Sequence, residues 1–332
     1  MKVHGVVRPP GDKSISHRAV MLAGLARGAS ELEGLLTGAD VKSTARVLRQ
    51  LGARVSSVRE GGNVTVHASR ISHPASRLNC GNSGTTARLM LGILAGQPFA
   101  ATLTGDASLR RRPMRRVTEP LRAMGARIDD THGDALPLTI RGGRLHPLTY
   151  TTPVASAQVK SALLLAGLTG NVAVTIREPY RSRDHTERLL VHLGLGLHER
   201  DGAIVYEPIA RSILPSFRLS VPGDASSAAF LVVAAVLAEG GELLVEHVGV
   251  NPTRTGFLVV LERMGAHVAR VNLRDEGGEP VADLIARPPA ALRGTDVSAA
   301  EVPTLVDEVP ILAVLASRAA GRRRSERLAS CA

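Results

Sequence analysis

Pro10-Gly11-Asp12-Lys13-Ser14-Ile15-Ser16-His17-Arg18 ends a short apolar strand carrying Val3, Val6 and Val7 and opens an apolar helix. Gly11 permits a tight turn, and Ser14 and Ser16 stand where a helix leaves its first amide groups unpaired. Lys13 and Arg18 bring positive charge to the same end. A helix N-terminus itself carries roughly half a positive charge, so a phosphate or carboxylate is favoured there. The plain alternative is an ordinary N-cap with two solvated cations.

The same kind of helix start recurs along the chain. Small polar residues open apolar Ala/Leu/Val helices at Lys13, Asn82, Ser156, Asp224 and Asp307. A second phrase, Leu-x-x-(Leu/Met)-Gly, closes helices at Leu48 to Gly52, Leu121 to Gly125, Leu190 to Gly194 and Leu261 to Gly265, about 70 residues apart each time. Each of those glycines reads as the residue just past a helix end. Each unit therefore reads as strand, buried helix, strand, outer helix and further short strands such as Val64-Thr65-Val66-His67 and Leu138-Thr139-Ile140. Five units begin, and the fifth stops after its first helix. Packed as repeats, the buried helices run parallel and turn their positive ends towards one region, where a strongly anionic ligand collects several dipoles.

The Lys13 segment and the Pro/Gly break Val221-Pro222-Gly223-Asp224 mark the two domain crossings. The expected division is a continuous domain of three β/α units over 11–221 and a discontinuous domain of 1–10 plus 222–332. His67 to Arg77 and Asp275 to Pro280 read as loops.

The 332 residues carry 41 Lys and Arg against 30 Asp and Glu, a formal charge of +11, which favours anionic partners. Part of that excess is the C-terminal run Arg322, Arg323, Arg324 and Arg327. With no Trp, four Phe and three Tyr, the cores are built from aliphatic residues, and base-stacking platforms for nucleic acid are missing. The two cysteines, Cys80 and Cys331, are too few for a disulfide framework or a CxxC zinc site and suit a reducing cytoplasm. No secretory signal or membrane-length apolar run is visible, so the expectation is a soluble cytoplasmic protein.

Four further stretches bear on chemistry. In Leu78-Asn79-Cys80-Gly81-Asn82-Ser83-Gly84-Thr85-Thr86-Ala87-Arg88 the glycines let backbone amides approach a ligand, and Asn82 and Thr85 can hydrogen-bond. Neither this stretch nor the Lys13 segment has the GxxxxGK[ST] spacing of a nucleotide P-loop. Gly105 to Arg116 puts five Arg in a short loop ahead of a helix; a solvated loop is the ordinary reading, but Arg112 stands directly before Pro113, where the backbone is pre-set. Val154 to Lys160 opens the third buried helix with short polar side chains, and Arg181 to Thr186 opens another, with Asp184 as a cap and His185 as a surface or capping residue. Asp307-Glu308 starts the fifth buried helix, as a dipole-stabilising pair or as a general base. Cys80 reads as a small packed thiol.

Together PGDKSISHR, GNSGTTARL, GDASLRRRPM, SAQVKSALLLAGL, SRDHTERLL, PGDASSAAF, NPTRTG and DEVPILAVLA resemble the 5-enolpyruvylshikimate-3-phosphate synthase family over nearly all of the chain up to Ala320. The resemblance implies an α/β fold, the inside-out α/β prism, in two domains of repeated β/α units. It implies small-molecule substrates, shikimate 3-phosphate and phosphoenolpyruvate, with no metal or organic cofactor, no nucleic-acid or membrane partner, and a monomer. By motif position Lys13, Ser14 and Arg18 hold shikimate 3-phosphate, with Ser156, Ala157 and Gln158 beside its ring and Arg183 near its phosphate. Lys13, Asn82, Gly84, Arg112 and Gln158 meet phosphoenolpyruvate. Asp307 is the implied proton acceptor and Lys13 the acid. The enolpyruvyl transferase acting on UDP-N-acetylglucosamine shares architecture and donor, but it opens on a different Lys-Ser-Gly-Asn phrase and uses a loop Cys.

After Ala320 the resemblance fails, and Gly321 to Ala332 reads as the product of a frameshift. The expectation there is a second domain left incomplete and a truncated chain that is weakly active or inactive, or a non-catalytic remnant that still binds shikimate 3-phosphate.

Overall fold

A computed structural model describes residues 1–68, 71–129, 133–209 and 214–321, with the backbone of Arg324–Ser325. The expected departure over 321–332 thus lies outside the described residues, apart from Gly321 and that short backbone. The described chain forms two compact units, central and outer by their place in the sequence: the central one is Lys13–Pro179 and His185–Ser220, and the outer one is Met1–Asp12, Tyr180–Asp184 and the described residues from Val221 onward. Tyr180–Asp184 lies inside the span assigned to the continuous domain yet packs with the outer unit, where Asn251 Nδ2 donates to Asp184 at 2.7 Å.

The central unit holds three four-stranded sheets of one design. The first comprises β2 (Gly28–Glu33), β3 (Arg54–Val55), β4 (Val64–Ala68) and β13 (Arg218–Ser220) in the order β13-β2-β4-β3. The second comprises β5 (Leu78–Asn79), β6 (Ala100–Thr104), β7 (Arg127–Asp129) and β8 (Leu138–Arg141) in the order β5-β6-β8-β7. The third comprises β9 (Leu148–Thr151), β10 (Val174–Arg177), β11 (Leu197–Arg200) and β12 (Ala203–Tyr206) in the order β9-β10-β12-β11. In every sheet the first pair is parallel and the next two are antiparallel.

A parallel pair needs a crossover, and in the second and third sheets a buried helix supplies it. These are α3 (Gly84–Ala95) and α6 (Ala157–Gly170), joined in the interior by α1 (Lys13–Leu25). Their side chains are buried nearly all round, Met21, Leu22, Leu89, Met90, Leu91 and Leu163 among them. A helix apolar on every face belongs inside, with the sheets outside it. Fully burying one such side chain contributes about 1.5–3 kcal/mol. The helices α3 and α6 cross backbone to backbone at Gly92, where a Cβ would stand 2.1 Å from the carbonyl oxygen of Ala162.

The outer helices are α2 (Ala39–Gln50), α5 (Arg115–Ala123), α7 (His185–His192) and, in the outer unit, α9 (Gly256–Arg263). Each runs into its Leu-x-x-(Leu/Met)-Gly phrase, and Gly52, Gly125, Gly194 and Gly265 take φ of +98°, +103°, +69° and +88°. That left-handed turn is open to glycine without a steric penalty, which is why the phrase ends on it.

The outer unit repeats the design once, with β1 (Lys2–Val7), β14 (Gly240–Gly249), β15 (Val268–Glu276) and β16 (Glu279–Ala286) in the order β1-β14-β16-β15. Its apolar helices are α8 (Ala225–Val236), mostly buried, and α10 (Val309–Ser317), in which Leu312 and Leu315 are buried and Val314 is half-exposed. A further parallel pair, β17 (Asp296–Val297) with β18 (Arg324–Ser325), begins another sheet. Bulges in β14 and β15 bring His247, at φ +58°, between Arg8 and Glu276: Arg8 Nη2 lies 2.7 Å from its Nδ1 and Glu276 Oε2 lies 2.7 Å from its Nε2.

Several local expectations are corrected. Asp275 to Pro280 is the tight hairpin between β15 and β16, closed by Gly277 and Gly278 at positive φ, and His67 belongs to β4. The arginine-rich loop contains a one-turn helix, α4 (Ala107–Arg110), because Asp106 caps it through Leu109 N at 2.7 Å. His185 opens α7 but is buried, not at the surface. Among the described residues no helix is long and apolar enough to cross a membrane.

Candidate active site

In the central unit three helix starts lie side by side. Ser83 caps α3 through Thr86 N at 3.1 Å, and Ser156 caps α6 through Val159 N at 3.5 Å. From α6, Gln158 Nε2 donates to Thr85 Oγ1 at 3.1 Å, and Gln158 Oε1 accepts from Arg88 Nη1 at 2.9 Å. Arg18 of α1 donates from Nη2 to Ser161 Oγ at 2.7 Å and from Nε to Thr186 Oγ1 at 2.6 Å, with Nη1 on the carbonyl of Ser14 at 2.9 Å. A fully buried chain joins the helices further back, from His17 Nδ1 to Thr44 Oγ1, Thr86 Oγ1 and Ser83 Oγ at 2.7, 2.7 and 2.8 Å. The positive ends of α1, α3 and α6 therefore face one patch of this unit.

Around Gly84 the patch is cationic. A Cβ on Gly84 would stand 2.8 Å from Arg88 Nη1 and 3.5 Å from Arg112 Nη1. Burial, with Arg116 and Arg112 adding to it, pushes the Arg88 guanidinium down to about 10. Its partners are neutral, the Gln158 amide and the carbonyl of Pro113 at 3.0 Å, and its Nε is buried without a partner among the described residues. Arg112 Nη2 donates to Asn82 Oδ1 at 2.6 Å, and Asn82 Nδ2 passes the contact on to Asp106 Oδ2 at 2.7 Å. Two guanidinium groups beside a glycine that opens a helix form a patch whose chemistry suits an oxyanion, and a Cβ at Gly84 would press on the Arg88 guanidinium.

In the outer unit Asp307 is the centre. Its Oδ2 accepts from Arg183 Nη2 and, at 3.1 Å, from Arg254 Nη1. Partial burial pushes the carboxyl up, but Arg183 and then Arg254 outweigh it and hold the group below its ordinary range. Arg254 is itself buried, and Asp12, Glu308, Asp224 and Asp307 surround it. The neighbouring Glu308 is fully buried and pushed up by burial; it accepts from Ser226 Oγ, which in turn accepts from Arg254 Nη2 at 2.6 Å. Two adjacent carboxyls thus differ in proton affinity, Asp307 ionised and half-exposed beside Glu308 buried. Asp307 and Glu308 close a 3-10 turn ahead of α10 and do not lie inside its first turn.

The family model of EPSP synthase (3-phosphoshikimate 1-carboxyvinyltransferase) matches residues 1–330. The chain belongs to the EPSP synthase family. As a member of that family it is an enolpyruvyl transferase of the shikimate pathway. It is similar to the 3-phosphoshikimate 1-carboxyvinyltransferase of Geobacillus kaustophilus, 50% identical over 323 residues, which cover 96% of this chain and 74% of the relative. An EPSP synthase structure from Acinetobacter baumannii superposes with a TM-score of 0.89 at 40% identity, over 98% of this chain and 73% of that one. The enolpyruvyl transferase NikO from Streptomyces tendae, at 18% identity and a TM-score of 0.76 over 99% of this chain and 77% of that one, shares the fold.

The residues expected from the EPSP synthase resemblance fall into the two units as follows. Lys13, exposed at the start of α1, and Ser14, Arg18, Asn82, Gly84, Arg112, Ser156, Ala157 and Gln158 are in the central unit; Arg183 and Asp307 are in the outer one. Arg18 is buried, with Nε, Nη1 and Nη2 each donating to a protein oxygen. Arg183 is engaged with Asp307. Two residues missed in the sequence belong here: Arg88, which lies four residues after Gly84 and so on the same helix face, and Arg254, inside the Asn251 to Gly256 stretch. Cys80 is buried and pushed up to about 12 by desolvation, chiefly, so it is no nucleophile. Among the described residues no group of three or more His, Cys, Asp or Glu could hold a metal.

Proposed function

We propose that the protein transfers the enolpyruvyl group of phosphoenolpyruvate to the 5-hydroxyl of shikimate 3-phosphate. The observation that carries this is the Gly84 receptor: buried Arg88 and neighbouring Arg112, with neutral partners, beside the open ends of α3 and α6. Its chemistry suits the phosphate or carboxylate of phosphoenolpyruvate, with Asn82, Gly84, Arg112 and Gln158 as contacts. Lys13, Ser14, Ser156, Ala157 and Gln158 serve shikimate 3-phosphate, and Arg18 supports that set from behind by holding α1 against α6. Arg183 supplies charge beside Asp307 and towards the 3-phosphate.

Asp307 takes the proton of the 5-hydroxyl, whose oxygen forms a bond to C2 of phosphoenolpyruvate while Lys13 protonates the C3 methylene. The tetrahedral adduct then loses phosphate from C2 and a proton from C3, leaving the enol ether. Positioning and fixed charge do the catalysis. The proposal places the enzyme in the cytoplasm as a monomer, in keeping with two cysteines and no membrane-length helix among the described residues.

The test is a phosphate-release assay run with each substrate alone and with both. Release only when shikimate 3-phosphate and phosphoenolpyruvate are present together is expected. Release that requires UDP-N-acetylglucosamine in place of shikimate 3-phosphate would sink the assignment.

A further inference from the structure

The tip of α6 is backed by a buried charge cluster that the reaction above does not use. Lys160, one turn along the helix, is wholly buried, and its Nζ lies 2.7 Å from both Glu178 Oε2 and Glu187 Oε1. The two carboxylates are 5% and 10% exposed. Removing three charges from water is costly, and well-packed apolar residues of similar volume generally stabilise a fold as well or better. Stability therefore does not account for the cluster.

What the cluster does is geometric. Glu178, at the end of β10, gives Oε2 to Lys160 and turns Oε1 to the backbone N–H of Ser156 at 3.3 Å. Ser156 is the cap of α6, and its N–H lies outside the ladder of the helix. The next residue after Lys160 is tied from another side: Ser161 Oγ shares a 2.7 Å hydrogen bond with Thr186 Oγ1, and Arg18 donates to both. The start of α6 is thus clamped to β10, α1 and α7 through consecutive side chains, and the Glu178 contact reaches the backbone N–H of the cap residue itself.

We propose that Glu178, held in place by Lys160, is a positioning residue for the acceptor substrate: it sets the backbone at Ser156, and so the direction in which Ser156 meets the ring hydroxyls of shikimate 3-phosphate, while Gln158 is held separately by Thr85 and Arg88. The inference rests on the reading of the α6 tip as that substrate's site. Glu178 makes no contact with substrate, so its loss weakens shikimate 3-phosphate binding and leaves the donor and the chemistry alone.

The experiment is calorimetric titration of shikimate 3-phosphate into the full chain and two neutral-cluster variants, with steady-state kinetics alongside. K160M/E178Q/E187Q keeps an amide oxygen for Ser156 N; K160M/E178M/E187Q keeps the volume and removes the acceptor. The E178Q-bearing protein is expected to bind within about threefold of wild type, and the E178M-bearing one at least about tenfold more weakly. The KM for phosphoenolpyruvate and kcat at saturating acceptor stay unchanged, and the two variants melt together. Equal affinity in the two variants, whether tight or weak, overturns the inference. Failure of the wild type to bind shikimate 3-phosphate overturns the reading of the site and the inference with it, so the two failures are told apart. If the E178M-bearing protein does not fold, E178A in the same background removes the acceptor without added bulk and is judged by the same comparison.

Discussion

Asp307 shows how much a single carboxylate depends on its neighbours. Arg183 and Arg254 hold it below the ordinary range of about 3.9, so it is ionised and ready to accept a proton throughout neutral pH. D307N is expected to lower kcat by roughly 10²–10⁴-fold while leaving the KM values within about threefold. Removing one of the cations relieves the depression: R183M moves the acid limb of the kcat/KM profile to higher pH, and an unmoved limb would show that Arg183 does not tune the base. At the Gly84 receptor, Q158A strips Arg88 Nη1 of its acceptor and Thr85 of its donor, and a rise of about tenfold in the KM for phosphoenolpyruvate is expected. Some of this was legible in the chain: Asp307 and Gly84 stand at helix starts whose chemistry is written in adjacent residues. Arg88 and Arg254 were not, because each is one arginine among many until an amide or a carboxylate from a distant helix arrives beside it. Arg18 is a different case. Its position in the motif points to a ligand, and only the packing of α6 and α7 shows that Ser161 and Thr186 take its donors.

Helix starts and helix ends were the most readable elements. The polar openings at Ser83, Ser156 and Asp224 are side-chain caps, and the glycine endings sit at positive φ, so local chemistry and tertiary structure agree. The short strands were less readable, since two-residue pieces such as β3 and β5 owe their extended form to the partner strand and not to their own side chains. Asp275 to Pro280 misled because Gly277 and Gly278 signal a turn without saying how far the strands on either side extend. The sharpest requirement at this scale is the crossing of α3 and α6. A methyl group at Gly92 meets backbone, which does not swing aside, so G92A is expected to destabilise the protein by about 1–3 kcal/mol in urea titration. A midpoint unchanged from wild type would mean that the helices can separate there.

Charge is distributed unevenly over the molecule. In the outer unit Glu276, Asp283, Glu301 and Asp307 all have carboxyls held below their ordinary range, in each case because hydrogen bonds and cations outweigh burial. In the central unit the exposed Asp106 is held down in the same way, by hydrogen bonds from Leu109 N and Asn82 first. A carboxyl with a lowered folded value stabilises the fold above its unfolded value and loses that contribution as pH falls through the folded one. Acid should therefore loosen the outer unit first. Amide exchange followed by mass spectrometry from pH 7 to pH 3.5 is expected to show protection lost in β14–β16 before α3 and α6, and simultaneous loss would contradict the account.

One consequence concerns the order in which the chain is made. The first strand, β1, pairs with β14 from Lys2 opposite Gly240 onward, and the whole central unit is spliced between them. At roughly 5–20 residues per second, a ribosome delivers that partner on the order of ten to fifty seconds after the strand itself. During the interval β1 is an unmatched ribbon edge, while the interposed unit can already collapse behind it. Biosynthesis thus imposes a chronology on this architecture: the interposed unit can mature first, and β1, made before it, is among the last segments to find its seat.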